Sequence, residues 1–297
     1  MYLDRPTHPL VTYGTYPALA LLTAGGIALA LAYNLNRNAM AALLAIMPVV
    51  VAIVVETRYP LADKWRMTKN SFLRRDLPWM TATVITERIA ETVAVLVAAT
   101  FVSSEGFGPL AALPVGAQVV VTLVAFDLLW YGYHRYAHSS ARLWRVHGTH
   151  HAPSQLYALV HLVLHPFDGV VSRFAIALIV FRFSGAGPDA IFIAVIILSL
   201  QQLISHVNAD LRVGPLNYVL IGAETHRYHH SADDRGNYGS VTPIWDMIFG
   251  TFIYKPDRVP ENIGLENPAT FPNPERFHQT LTWPLHHQAP RPATANG

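Results

Sequence analysis

The chain has 297 residues, of which 52% are hydrophobic and only 13% charged. Soluble domains carry about twice that charged fraction, so the composition indicates a membrane protein. Because the chain contains no cysteine, disulfides, thiolate metal sites, iron–sulfur clusters and cysteine nucleophiles are excluded. The net charge of +2 does not favour a nucleic-acid binder. The features left to explain are the hydrophobicity and the 15 histidines.

Apolar segments near the length of roughly 17 to 25 residues that crosses a bilayer recur along the chain. They cover 17–33, 39–55, 84–102, 110–130 and a weaker pair, 170–183 and 190–204. The short polar link at 34–38 predicts a helical hairpin between the first two segments. Glu87, Arg88 and Glu91 fall in the first turns of the third segment, where they must snorkel or pair. We therefore predict an all-α polytopic membrane protein with about four to six transmembrane helices.

The distribution of Lys and Arg predicts the orientation, because short loops rich in these residues stay in the cytoplasm. Most of the 21 basic residues lie in segments that an even number of crossings places on one side, and Arg37 is the only one in the opposite turns. Segments 131–169 and 205–297 are thus predicted to form a cytoplasmic cap. We expect a single domain over 1–297, with membrane hairpins at 17–130, a catalytic region at 131–252 and a polar C-terminal tail at 253–297. No cleavable signal peptide is predicted.

Histidines cluster at helical spacing after the fourth apolar segment. An H-x-x-x-H pair is followed by two H-x-x-H-H boxes, and one further histidine lies between these boxes. Positions i, i+3 and i+4 share a helical face, so each box is expected to aim its three imidazoles at one point. The nine candidate metal ligands are His134, His138, His147, His150, His151, His206, His226, His229 and His230.

Nine imidazoles are too many for one ion but suit two. Imidazole is a ligand for iron, zinc, copper and nickel. A structural zinc site would be closed by four ligands and often uses cysteine, which this chain does not contain. A histidine-only pair of metal ions beside a lipid-embedded bundle suits oxygen activation on an apolar substrate.

The histidine boxes and the residues around them resemble the fatty acid hydroxylase and sterol desaturase superfamily of membrane di-iron enzymes. Leu143-Trp144 before the second box, and 234–239 and 244–252 after the third, are also similar to the family pattern, as is His206-Val207-Asn208. The resemblance covers roughly 126–252. It implies two iron ions, molecular oxygen as co-substrate, and hydroxylation or desaturation of a lipid with electrons from outside.

Further residues are candidates for an extra ligand or for hydrogen-bonding partners of the ligands. His165 forms a second H-x-x-x-H pair with His161 inside an apolar stretch. Metal-bound imidazoles usually donate their other N–H to a carboxylate or carbonyl. Polar residues near the boxes could accept such bonds: Asp127, Asn208, Glu224, Asp234 and Asp246. The stretch 152–155 departs from the family pattern because it has no carboxylate.

The leading hypothesis is a non-haem di-iron oxygenase that acts on a sterol, a fatty acyl chain or an ether lipid. Hydroxylation and desaturation both remain open, because substrate orientation decides between them. The chain has no haem-binding or dinucleotide-binding motif, so a separate reductase, ferredoxin or cytochrome is expected to supply electrons. The alternative is a histidine-rich zinc protein, either a metal transporter or a zinc hydrolase. A transporter would place its ligands within the spans, and a hydrolase would need an acidic base that both H-x-x-H-H boxes lack.

Overall fold

The computed structural model describes residues 8–101, 108–171, 180 and 184–285. Within these ranges the regular structure is helical, apart from two isolated β-bridges, which confirms the predicted all-α class. The α-helices, in chain order, are α1 (Pro9–Ala32), α2 (Arg37–Arg58), α3 (Lys69–Ser71), α4 (Leu77–Phe101), α5 (Val115–Ser139), α6 (Ala141–His151), α7 (Pro166–Gly169), α8 (Pro188–Ser205), α9 (Ala223–His229), α10 (Ile244–Ile248) and α11 (Phe277–Thr282).

Four of the described helices are long and apolar enough to cross a membrane, namely α1, α2, α5 and α8. This count is at the lower end of the predicted range. Helix α4 covers the third predicted segment but begins earlier, at Leu77, so Glu87 and Arg88 lie inside the helix rather than in its first turns. Most of the predicted segment 170–183 lies outside the described residues.

The predicted hairpin joins α1 to α2. Asn34 takes the left-handed conformation (φ 48°), and the side chain of Asn36 caps α2 by accepting a hydrogen bond from the Ala39 N–H at 3.0 Å. Arg37, the first residue of α2, forms an ion pair with another helix: its guanidinium lies 3.0 Å from the carboxylate of Asp189 at the start of α8. An ion pair thus connects the hairpin to α8, in addition to the capping hydrogen bond within the turn.

Helix α8 is the centre of the helical bundle. Its Leu200 and Leu203 pack in one buried cluster with Leu19 of α1 and Ala52 of α2. The hydroxyl of Tyr16 also donates to the Gln201 side chain at 2.8 Å. Because α8 is held on several sides, the residue that follows it, His206, emerges at a defined point beside the histidine boxes.

Residues 253–285 pack onto the rest of the molecule. Val259 and Ile263 are buried in one cluster with Leu61 and Trp65. The indole N–H of Trp79 donates to the Pro274 carbonyl at 2.9 Å. The described part of the segment predicted as a polar tail is therefore packed against the rest of the described chain, and its Gly264 N–H donates to the carbonyl of His230 at 2.9 Å.

Candidate metal centre

Four helices bring the nine predicted histidines together. The first pair lies in the last turns of α5, which continues through Ser139 as the spacing predicted. The second box occupies the end of α6, whose first turn is capped by the Ser140 hydroxyl. The third box occupies α9 and the residue after it. His206 directly follows α8.

The side chains form two groups. Within each group, the ring nitrogens that could bind a metal ion lie within 4.8 Å of one another. The five-histidine cluster contains His134, His138, His147, His151 and His229. The four-histidine cluster contains His150, His206, His226 and His230. The clusters adjoin, since the rings of His151 and His230 stack at a centroid distance of 4.6 Å.

The expectation that each box aims its three imidazoles at one point is wrong. His147 and His151 of the second box join the five-histidine cluster, whereas His150 joins the four-histidine cluster. The third box divides in the opposite way: His226 and His230 join the four-histidine cluster, and His229 joins the five-histidine cluster. The reason is helical geometry: positions i and i+4 project within about 40° of each other, but i+3 lies about 100° from i+4.

The outer nitrogens of several of these imidazoles are occupied by hydrogen bonds. Nδ1 of His134 donates to the Tyr238 carbonyl at 2.7 Å, and Nδ1 of His229 to the Gly236 carbonyl at 2.9 Å. Nδ1 of His206 donates to the Gln202 carbonyl at 2.8 Å. A donating Nδ1 leaves the lone pair of a neutral imidazole on Nε2, the nitrogen that faces the cluster.

Some of the inner nitrogens face each other with no proton between them. Nε2 of His206 lies 3.3 Å from Nε2 of His150, although both rings use Nδ1 as the donor. Nε2 of His134, His138 and His229 is buried with no hydrogen-bond partner. Two nitrogens bound at about 2.1 Å to one ion lie about 3.0–3.4 Å apart, depending on the angle between them. The donor set therefore fits a cation in each cluster.

Burial keeps six of these imidazoles neutral. It is the largest cause that lowers the pKa of His150, His151, His206, His229 and His230 well below the usual value, and neighbouring imidazoles lower it further. Burial also lowers the pKa of His226 to about 3. Metal ligation requires the neutral form, so no proton must be displaced at neutral pH.

Two cavities reach the clusters from different directions. A cavity of ≈ 60 Å³ touches both clusters and is lined also by Trp130, Leu164 and Gln202. A cavity of ≈ 40 Å³ touches only the five-histidine cluster, through His138, His151 and His229, and is lined by polar residues that include Arg235 and Glu266. The larger cavity is the one from which a substrate can approach both clusters.

Asp168 is a site residue that the sequence analysis missed. Its carboxylate accepts a hydrogen bond from Nδ1 of His147 at 3.0 Å and another from the Tyr133 hydroxyl. It is the only acidic residue between Asp127 and Asp189. The sequence signal that could have identified Asp168 as a site residue is its position as a single acid in a long apolar and basic stretch.

The acids and the amide that were candidates for contacting the ligands have other partners. Asp127 accepts from the backbone N–H groups of 240–242, and Asp246 from those of 238 and 239. Glu224 accepts from the Val213 N–H at 2.6 Å. Asp234 pairs with Lys255, and Asn208 bonds to the backbone of Ala62. These side chains hold loops around the site.

The structure does not bring His165 into either cluster. Its Nδ1 accepts the Phe167 N–H at 3.2 Å, which caps the short helix α7. Its Nε2 donates to the Leu281 carbonyl at 3.0 Å. His161 lies beside the four-histidine cluster. Its ring centroid is 6.1 Å from that of His206, and it lines the larger cavity.

Comparison with known proteins agrees with the resemblance seen in the sequence. Residues 119–251 match the family model described as fatty acid hydroxylase. This region is a fatty acid hydroxylase domain. It contains all nine histidines of the two clusters. No solved structure matches the chain.

The fatty acid hydroxylase domain has curated relatives that are named as lipid oxygenases. The chain is 33% identical to the ornithine lipid hydroxylase OlsE of Rhizobium tropici over 51% of this chain and 46% of that protein. It is 31% identical to human alkylglycerol monooxygenase over 52% of this chain and 35% of that protein. It is 29% identical to methylsterol monooxygenase 1 of Gallus gallus, over 46% of each. The matches thus span less than half the length of these relatives.

Proposed function

We propose that the protein is a multi-pass membrane oxygenase that inserts oxygen into, or desaturates, a bilayer lipid. The observation that carries the proposal is the pair of adjoining histidine clusters, in which nine imidazoles converge and several present unprotonated Nε2 atoms to one another. Two iron ions would be held there, one by the five-histidine cluster and one by the four-histidine cluster. When bound, they would supply the oxygen-activating redox chemistry.

The protein residues position these ligands and shape the reaction space. Hydrogen bonds to carbonyls and to Asp168 fix the imidazole rings with Nε2 inward. Such outer contacts orient ligands and raise their basicity. Trp130 and Leu164 give the ≈ 60 Å³ cavity an apolar wall against which a hydrocarbon segment can rest. The cavity is small, so only the reacting part of a lipid enters it.

A lipid substrate is supported by two independent features. Four helices are suited to cross a bilayer, so a lipid can reach the site without leaving the membrane. The relatives act, by name, on an ornithine lipid, an alkylglycerol and a methylsterol. We place the histidine region on the cytoplasmic side, where most of the basic loop residues lie, and a separate electron carrier would reduce the site there.

The first experiment measures metal content and oxygen-dependent product in the same preparation. Protein purified without oxygen should contain about two irons per chain, one for each cluster. With oxygen and a chemical reductant, lipids extracted from proteoliposomes should gain the mass of one oxygen atom or lose two hydrogens. The same preparation kept without oxygen is the control. A zinc-loaded protein that turns over lipid without oxygen would overturn the proposal and favour a zinc hydrolase.

A further inference from the structure

Helix α10 packs beside the middle of a candidate membrane span. The indole N–H of Trp245 donates to the Val124 carbonyl of α5 at 3.1 Å. The ring of Phe249 stacks on Tyr131, with a centroid distance of 5.3 Å and an interplanar angle of 17°. Val124 and Tyr131 are about 10 Å apart along α5. The segment therefore runs alongside the part of α5 that lies before its histidines.

Two buried acids satisfy the irregular backbone that leads to α10. The Asp127 carboxylate of α5 accepts from the N–H groups of Ser240, Val241 and Thr242 at 2.6, 3.0 and 2.9 Å. The Asp246 carboxylate accepts from the N–H groups of 238 and 239, both at 2.8 Å. Non-helical backbone is tolerated at membrane depth only where its polar groups find internal partners. These two acids provide such partners.

The outward side of α10 is apolar and exposed. Met247 and Ile248 of α10 are 41% and 59% exposed, and Phe249 directly after the helix is 50% exposed beside Tyr131. A neighbouring turn adds Tyr218 and Val219, at 54% and 57%. The turn is joined to this side through the contact of Tyr218 with Phe252, at a centroid distance of 5.5 Å. Between 238 and 253 the only charged residue is the buried Asp246. Water would be a poor partner for so continuous an apolar surface.

We propose that α10 and the turn at 216–219 are inserted into the bilayer and contact lipid acyl chains beside α5. The surface is continuous with α5, and it presents no charge to a protein partner, so acyl chains are the occupant that fits. Gly239 and Ser240, at the root of this segment, line the ≈ 60 Å³ cavity. The inserted segment would therefore stand where a bilayer lipid approaches the site. The proposal concerns membrane contact and is independent of the metal chemistry.

The test uses the natural absence of cysteine, which lets one residue be labelled at a time. Ile248→Cys is labelled with a small fluorophore in vesicles of phosphatidylcholine whose acyl chains carry bromine. Val120→Cys, at a position of α5 that is 61% exposed, is the control for lipid contact. Gln279→Cys, on the exposed polar side of α11, is the control for water contact. Met247→Cys replaces Ile248→Cys if that variant does not fold.

The proposal predicts that lipid bromine quenches the label at Ile248 to the same extent as the label at Val120, and that aqueous iodide quenches only the label at Gln279. Iodide quenching at Ile248 together with bromine quenching at Val120 would overturn the insertion of α10 but leave α5 in the bilayer. Iodide quenching at both would overturn both. Quenching of Ile248 by neither agent, with disulfide cross-linking of Ile248→Cys chains, would overturn the proposal in favour of a contact between two copies.

Discussion

Nδ1 of His147 donates a hydrogen bond to the carboxylate of Asp168 at 3.0 Å, and both side chains are only 1% exposed. The Tyr133 hydroxyl donates to the same carboxylate. This buried acid therefore has two donors that fix its position, and it in turn fixes the ring of a histidine in the five-histidine cluster. It is the only carboxylate in the described part of the chain that contacts a histidine of either cluster.

Replacing Asp168 with alanine should weaken metal binding without unfolding the protein. Loss of such a partner typically lowers metal affinity by roughly 10–100-fold. Competition with a chelator measures the effect, and Asp168→Asn should rescue part of it because its amide oxygen can still accept from His147. The matched control is Asp63→Ala, whose carboxylate is 86% exposed and pairs with Arg66 on the surface. Equal metal retention in Asp168→Ala and the control would contradict the role of Asp168.

His229 and His278 provide a test of the cluster itself. Nε2 of His229 is buried among the imidazoles of the five-histidine cluster, whereas His278 is exposed on α11. We expect His229→Ala to lose bound metal and lipid product while it still inserts into membranes, and His278→Ala to keep both. Metal analysis of the purified variants decides the point. Full metal content in His229→Ala would show that this histidine is not a ligand.

The buried histidines predict that acid destabilises the protein when no metal is bound. Burial lowers the pKa of His226 to about 3, whereas an unfolded histidine titrates near 6.5. At this residue the unfolded state then binds more protons between these values, so the contribution of His226 to the free energy of unfolding is largest above about pH 6.5 and falls as the pH is lowered toward 3. Denaturation at several pH values measures this slope. His226→Asn should reduce it by roughly one proton, and an unchanged slope would contradict the assignment.

Gly148 lies inside the second histidine box, where a side chain would meet the C-terminal segment. A Cβ at this position would lie 2.6 Å from the ring of Phe271. Overpacking typically costs about 1–3 kcal/mol, whereas alanine gains at most about 1 kcal/mol over glycine in a helix. Gly148→Ala should therefore destabilise the protein.

A glycine-to-alanine substitution should not lower the stability of the protein where the added Cβ has space. In a Phe271→Ala background, Gly148→Ala should no longer destabilise the protein, because the clash is removed. Gly132→Ala is the control, since a Cβ there meets no atom within 4 Å. Thermal denaturation of the four combinations at 148 and 271 gives the coupling energy. Additive effects would show that Gly148 and Phe271 do not contact each other.

The spacing of the histidines was enough to identify eight of the nine members of the two clusters, and the resemblance to the family pattern supported the ninth, His206. It was not enough to assign each histidine to a cluster, because spacing gives directions around one helix but not the positions of the other three ligand-bearing segments. His150 and His151 are adjacent in the chain and belong to different clusters. Helical geometry separates their side chains, and the packing of α6 against the neighbouring helices determines which cluster each one joins.

The hydrogen-bonding partners could not be predicted in the same way. Asp127 and Asp246 are near the boxes in sequence, yet both accept backbone N–H groups of the loop that follows the third box. Asp168 is 21 positions from His147 and reaches it because α7 packs against α6. Proximity along the chain was a poor guide, because irregular loops also need acceptors when they are buried.

Each of the two H-x-x-H-H boxes supplies histidines to both clusters, so the geometry of one cluster is coupled to that of the other. Helix α6 supplies ligands to both, and so does α9 with the residue that follows it. An ion in either cluster would hold these helices in register and so preform most of the other site. Metal uptake should then be cooperative, so that chains given too little iron would divide into fully loaded and empty molecules rather than carry one ion each.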